Sequence, residues 1–280
     1  MEVNNDNQNP LAKHFRQPAI YIKLPSNGEY YDDSVLEMPI NGELPVFPMT
    51  ALDEITYRTA DALFNGSAIA NVIKSCVPAF KDPWQISTAD LDTLLISIRM
   101  ASYGHEMDFT STCPKCEEIS DFGIDLRNIL ESIKVPDYAS EVAHGDVSIH
   151  FKPLSYKEQN DNNLAQFQDQ KMLEALPQSD LPEEEKLAKI QEAFTNISLL
   201  TLNAIADSIA MIKAGDDVVV DKLHIKEYLQ NCDNKAFDKI RKKIESIKED
   251  SEVKPLQITC DKCQNEYQTP FTLNVANFFA

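Results

Sequence analysis

The sequence predicts an α+β protein, mostly helical, in which short β-hairpins carry two Cys-x-x-Cys knuckles and a four-cysteine zinc ribbon clasps a helical insertion. Three observations predict it. The stretch TCPKC at 112–116 returns as TCDKC at 259–263. Both copies sit between short runs of alternating polarity, as hairpin strands do. Between them, from Tyr156 to about Asp250, the pattern is almost entirely helical. At 280 residues, 43% apolar and 25% charged, the chain can bury a sizeable core and has the composition of an ordinary folded protein.

Residues 1–16, rich in Asn and Gln, predict a flexible arm. AIYIKL at 19–24 alternates and PSNGEYY follows as a turn, so a hairpin is expected there. Thr50 with Asp53 has the spacing of a capping box and opens a helix through TALDEITYRTADALF, ended by Asn65-Gly66. A second helix covers Ser67–Cys76 and stops at Pro78. FKDPWQI is a loop with the single tryptophan, and Ser87 or Thr88 caps a third helix through about Ser102. MDFTST and ISDFGI flank the first cysteine pair as a hairpin. DLRNILESI is a short helix and DVSIHFKPL, 146–154, a strand. The helical block then holds a long central helix at about Leu187–Lys213, a break at AGDDVVV, and helices near 222–231 and 233–249. Pro255 closes it, and LQITC with EYQTPFTL makes the second knuckle hairpin. The expected divisions are 1–16, 17–134, 135–250 and 251–280, with 17–280 folding as one unit.

The most apolar window, Ala193–Ile212, has the length of a membrane span but contains Asn196, Asn203 and Asp207. Each would cost several kcal/mol in lipid without a partner, so the window predicts a buried central helix rather than a membrane contact. No secretory leader is visible in MEVNNDNQNP. The expectation is a soluble intracellular protein, whose paired cysteines serve as ligands more readily than as disulfides. A formal net charge of −19 opposes nucleic acid and anionic membranes and favours protein partners. In KAFDKIRKKIESIK, 235–248, Phe237, Ile240, Ile244 and Ile247 form one apolar stripe, so its lysines read as a solvated outer face.

Four thiolates satisfy tetrahedral zinc, and Cys-x-x-Cys lets one tight turn supply two of them. Cys113, Cys116, Cys260 and Cys263 are the expected ligands, and Lys115 and Lys262, each just before a second cysteine, are placed to offset the negative charge. Iron held as in rubredoxin is the alternative that the same sulfurs admit. A redox pair would want a strand running into a helix N-terminus, which neither copy has. With residues 117–259 between the pairs, the site is a clasp and not a self-contained finger. Closing so long a loop instead of one of about 15 residues costs roughly 2 kcal/mol more, well below what a structural metal contributes. Glu117 and Gln264 stand where such knuckles commonly carry glycine, which predicts a strained or altered turn. Cys76 and Cys232 read as core residues, and His105 as a strand-edge histidine. No His-Glu-x-x-His, glycine-rich phosphate loop or Ser-His-Asp grouping is present, so no enzyme is expected.

NPLAKHFRQPAIYIKLPSNGEYY (9–31), LPVFPMTALDEITYRTADALFNG (44–66), SCVPAFKDPW (75–84) and DLDTLLISIRMASYGHEMDFTSTCPKC (90–116) occur in that order. Together they resemble the baseplate hub subunits of T4-like contractile-tailed phages. The resemblance implies a non-enzymatic structural and assembly role, with other baseplate hub proteins and the tape-measure protein as partners. It implies assembly in the host cytoplasm and a place in the tail baseplate of the virion. Residues 1–24 are expected to dock a partner by strand-edge addition and to be dispensable for folding. The competing expectation is a zinc-ribbon nucleic-acid-binding phage accessory protein, which would need a basic face around the knuckles.

Overall fold

The computed structural model describes residues 9, 11–59, 64–179, 181–251, 253–271 and 278. Among them are eight α-helices and ten short strands, and every strand pairing is antiparallel.

The first core gathers around a helix that is apolar on nearly every side. DLDTLLISI leaves no polar stripe to face water, and within α3 (Thr88–Tyr103) the residues Leu94, Ile96 and Ile98 are fully buried. Its one fully buried carboxylate, Asp90, accepts hydrogen bonds from Ser26 N (2.9 Å), the Ser26 hydroxyl and the Tyr31 hydroxyl (2.7 Å). Around α3 pack the ribbon of β1 (Ile20–Ile22) and β2 (Leu44–Val46), then α1 (Ala51–Tyr57), α2 (Ser67–Cys76) and α4 (Leu126–Ser132). The Thr50–Asp53 capping box opens α1, Ser87 caps α3, and α2 has the bounds its sequence predicts. α1 ends at Tyr57, with Arg58 as its C-cap and Thr59 outside the helix, short of the continuous run to Phe64 that the pattern predicts; residues 60–63 lie outside the described residues.

Three expectations change. The turn after Leu24 does not return as a hairpin. β1 pairs instead with β2, Tyr21 facing Pro45, because Ile22, Leu24, Leu44 and Val46 together present the apolar face that core one buries. Residues 1–24 are therefore not dispensable: Ile22 and Leu24 are core, and Arg16 is pinned to Asp53 (3.2 Å), the Pro48 carbonyl and the Ser75 carbonyl (2.8 Å). The buried central helix is α3 and not the window at 193–212.

That window belongs to α6 (Glu183–Asp207), which pairs with α5 (Tyr156–Ala175). Lys186, Ile190, Ala193, Ile197, Leu200 and Ala204 alternate three and four apart on its covered side, while Leu187 and Phe194 stay 64% and 59% exposed. A capping box of Ser155 and Glu158 starts α5. Gly66, at φ 77°, admits α5 closely: Tyr156 donates to its carbonyl (2.8 Å), Asn160 donates to the carbonyl of Asn65 (3.0 Å), and a Cβ there would strike Asn160. Trp84 stacks on Tyr156 at 5.3 Å.

The second core lies under a sheet of order β5 (Val142–His144), β6 (Val147–Phe151), β7 (Ile209–Ala214) and β8 (Asp217–Val219). The end of α6 and then α7 (Lys222–Asn231) and α8 (Asn234–Ser251) cover it, burying Ile149, Ile209, Ile225 and Ile240. The sequence places a helix through Lys213 where β7 forms. In β7 the step Ile209–Met211 faces only Phe151–His150 on β6, so Ala210 is an extra, bulged residue. The bulge turns Ile209 and Ile212 to the same buried side. Their separation of three imitates a helical period, and that misleads the pattern. Helix α8 buries the expected stripe, with Ile240 and Ile247 inside and Phe237 and Ile244 packed against them.

Candidate metal centre

Strands β3 (Glu106–Thr112) and β4 (Ile119–Asp125) pair in continuous register up to Thr112 opposite Ile119, leaving residues 113–118 as a tight turn. Strands β9 (Leu256–Thr259) and β10 (Glu266–Thr269) pair up to Thr259 opposite Glu266, leaving 260–265. The two turns are the same structure. Cys113 N donates to Glu118 O and Glu117 N to Cys113 O, both at 2.9 Å; Cys260 N donates to Asn265 O and Gln264 N to Cys260 O, also at 2.9 Å. Glu117 and Gln264 both take the left-handed conformation, φ 58° and 54°. Without glycine, both turns still take the left-handed residue and carry the same backbone strain.

The hairpin tips meet. The four sulfurs lie within 4.8 Å of one another, with Cys113 Sγ 3.7 Å from Cys263 Sγ and Cys116 Sγ 3.6 Å from Cys260 Sγ. A disulfide would need about 2.0 Å, and all four are free cysteines. A tetrahedral ion at about 2.3 Å from four sulfurs requires sulfur–sulfur edges of about 3.8 Å, so the residues present fit a metal. Cys113 and Cys260 are buried, Cys116 and Cys263 half-buried. Bracing outside the sulfurs holds the knuckles together: Lys262 forms an ion pair with Glu118, Tyr267 donates to Ser111 Oγ (3.2 Å), and the rings of Phe109 and Phe271 lie 6.4 Å apart.

The electrostatics of the bare cluster ask for a cation. Burial pushes the Cys113 thiol up, but the backbone N–H groups of Lys115 and Cys116 and the thiols of Cys116 and Cys263 outweigh it and bring the group down to about 6. At Cys116 the N–H of Glu118 pulls down, yet Cys263, burial and Cys260 together drive the thiol up to about 12. One sulfur ionises easily and its neighbour then resists, as like charges in one site must. Of the two lysines expected to offset the charge, Lys262 answers, held by Glu118 and within reach of Cys116 and Cys260. Lys115 is exposed.

All four sequence-predicted site residues come together. His105 stays at the foot of β3, where its carbonyl accepts from Leu126 N (2.8 Å), and among the described residues no histidine or carboxylate joins the sulfurs. Cys76 is buried in core one and Cys232 is half-buried just beyond α7. Sequence reasoning missed the bracing residues Glu118, Ser111 and Tyr267. Only the matching position of Glu118 beside the first knuckle and Lys262 within the second could have hinted at one of them.

Fold and centre define a class: an α+β protein in which a paired-knuckle cysteine centre joins two hairpins across an inserted unit of helices and a four-stranded sheet. A family model described as T4 bacteriophage base plate protein matches residues 50–280, and the chain belongs to that family. The match takes in the inserted helices and the second knuckle as well as the first. No curated protein and no solved structure matches. The protein is thus a structural phage baseplate protein and a component of the virion tail, placed there to contact other baseplate proteins. Among the described residues no helix is long and apolar enough to cross a membrane.

Proposed function

We propose that the protein is a non-enzymatic structural component of the central hub of the phage tail baseplate, acting through protein–protein contacts and stabilised by a structural zinc ion on Cys113, Cys116, Cys260 and Cys263. One observation carries the reading: in a baseplate-family chain, sulfurs from knuckles separated by residues 117–259 sit at 3.6 and 3.7 Å across the two turns, the spacing of a closed tetrahedral site. When bound, zinc supplies the positive charge that the clustered thiols otherwise meet by holding protons. Iron is the other metal that this donor set accepts.

Residues 17–280 act as one unit with 1–16 as an arm whose last residue, Arg16, anchors it to Asp53 and Ser75, and the clasp ties 251–280 back to 17–134 across the insertion. Partners are other hub proteins and the tape-measure protein, met in the host cytoplasm before the tail is complete. Leu52 and Ile55 on α1 and Leu187 and Phe194 on α6 are exposed large apolar side chains, suited to burial against neighbouring subunits. Glu106, Asp108, Glu117 and Asp121, exposed beside the first knuckle, weigh against a nucleic-acid-binding ribbon.

Native mass spectrometry of the chain co-expressed with the hub and tape-measure proteins tests the reading. The expected result is a complex in which each copy carries one zinc ion. A metal-loaded chain that joins none of those proteins would remove the hub assignment, and a metal-free chain in the complex would remove the zinc.

A further inference from the structure

The four-stranded sheet ends on both sides in the same kind of hairpin, yet only one end is closed. Strands β5 and β6 are joined by Gly145-Asp146 and β7 and β8 by Gly215-Asp216, with each glycine at φ 60°. In a two-residue hairpin the residues flanking the turn bond each other, so the next residue outward points its N–H and C=O away from the partner strand. On the β5 side that residue is Ala143. Lys239 of α8 covers it, donating to the Ala143 carbonyl at 2.9 Å, and His144 is held by Asp233 at 3.1 Å. Lysine over an outer strand is a common way to blunt an edge.

On the β8 side the equivalent residue is Val218. Among the described residues nothing bonds Val218 or Val220 from beyond β7. Val218, Val220 and Leu223 are 56%, 65% and 74% exposed, so open backbone groups and apolar side chains share one rim. Asp216, Asp217 and Asp221 flank it. Of the nearby lysines, Lys222 is already engaged by Glu158 and Asp207, both at 2.7 Å.

We propose that the outer edge of β8 is a docking site for an extended, lysine- or arginine-bearing segment of another protein, which adds as a fifth strand antiparallel or parallel to β8. Val218 and Val220 supply the backbone bonds, the exposed valines and Leu223 the apolar contact, and the three aspartates the choice of a basic partner. A second copy is the wrong occupant, because pairing β8 with itself would bring both sets of aspartates together. The site is separate from the sulfur centre and rests neither on the hub assignment nor on the metal.

The test uses the intact protein and two synthetic peptides of alternating valine and threonine, one with lysine at both ends and one with glutamate. Amide hydrogen exchange at Val218 and Val220 is read at low salt with roughly millimolar peptide, where weak strand addition is populated. The lysine peptide is expected to slow both amides by about tenfold or more, and the glutamate peptide to leave them unchanged. Val218→Pro removes an N–H that the fold does not use, so it should abolish the effect with metal content and thermal midpoint unchanged, whereas Val218→Thr retains it. Should Val218→Pro fail to fold, Asp217→Lys serves instead and should weaken the preference for the lysine peptide. No slowing with the lysine peptide, or equal slowing with both, overturns the proposal. Slowing that rises with protein concentration alone overturns it in favour of self-pairing.

Discussion

On the proposed zinc reading, removing the metal should release the C-terminal hairpin and leave both cores standing. Ordering residues 256–271 at about 1.5 kcal/mol each costs roughly 24 kcal/mol. On the other side, the burial of Ile258 and Phe271 and the packing of Leu256 against core one contribute about 6 kcal/mol at about 2 each. The β9–β10 ladder, four residue pairs long, adds about 4 kcal/mol net. The missing amount, about 14 kcal/mol, lies within the roughly 10–16 kcal/mol that a structural zinc site provides. Core one keeps Ile73, Leu94, Ile98 and their neighbours without the hairpin, and core two shares no buried residue with it. Hydrogen exchange before and after chelation should therefore show amides of 256–269 falling to unprotected rates while Ile98 and Ile212 retain theirs, and Cys263→Ser should reproduce the pattern. Full protection of 256–269 in protein shown by elemental analysis to be metal-free would refute the reasoning.

Two further outcomes follow from particular residues. Glu117→Gly and Gln264→Gly should each raise the urea-unfolding stability by about 0.5–1 kcal/mol, because glycine relieves the left-handed strain at φ 58° and 54° at some cost in unfolded-chain entropy; a loss of stability in both would show that the side chains, and not the backbone, hold the turns. Glu158 is pushed up by burial, but Lys222, the Ser155 N–H and Lys152 outweigh this and hold it at about 2. Its folded value lies below the unfolded one, so its contribution is present above about pH 4.5 and is lost as pH falls toward 2. Glu158→Gln should cost about 1–2 kcal/mol at pH 7, after allowance for solvent screening, and the gap to the parent protein should close between pH 4.5 and 2 in chemical denaturation.

Local rules carried much of the fold into plain view. The capping pair at Thr50, the stop at Pro78 and the apolar stripe of α8 act over a few residues, so α1 begins, α2 ends and α8 lies as their sequences require. Where the pattern misled, a distant partner was responsible. The Ala210 bulge gives β7 a helix-like spacing only because β6 lies beside it with one residue fewer. The window at 193–212 is as apolar as a core helix, yet Phe194 faces outward because α5 covers one side of α6 and no described residue covers the other.

The cysteine centre divides the same way. Two Cys-x-x-Cys turns with a shared lysine are a statement about chemistry, and the sequence alone singled out the four cysteines that cluster and the hairpins that carry them. Their meeting is a matter of tertiary structure: residues 117–259 lie between them, and the contacts that bring the tips to 3.6–3.7 Å, Lys262 on Glu118, Tyr267 on Ser111 and Phe271 on Phe109, join residues far apart in the chain. Sequence spacing encodes turns because a turn closes over a few bonds. Which turns face each other, which sheet edge is blunted by Lys239 and which is left open at Val218 depend on packing between elements, and only the folded chain decides them.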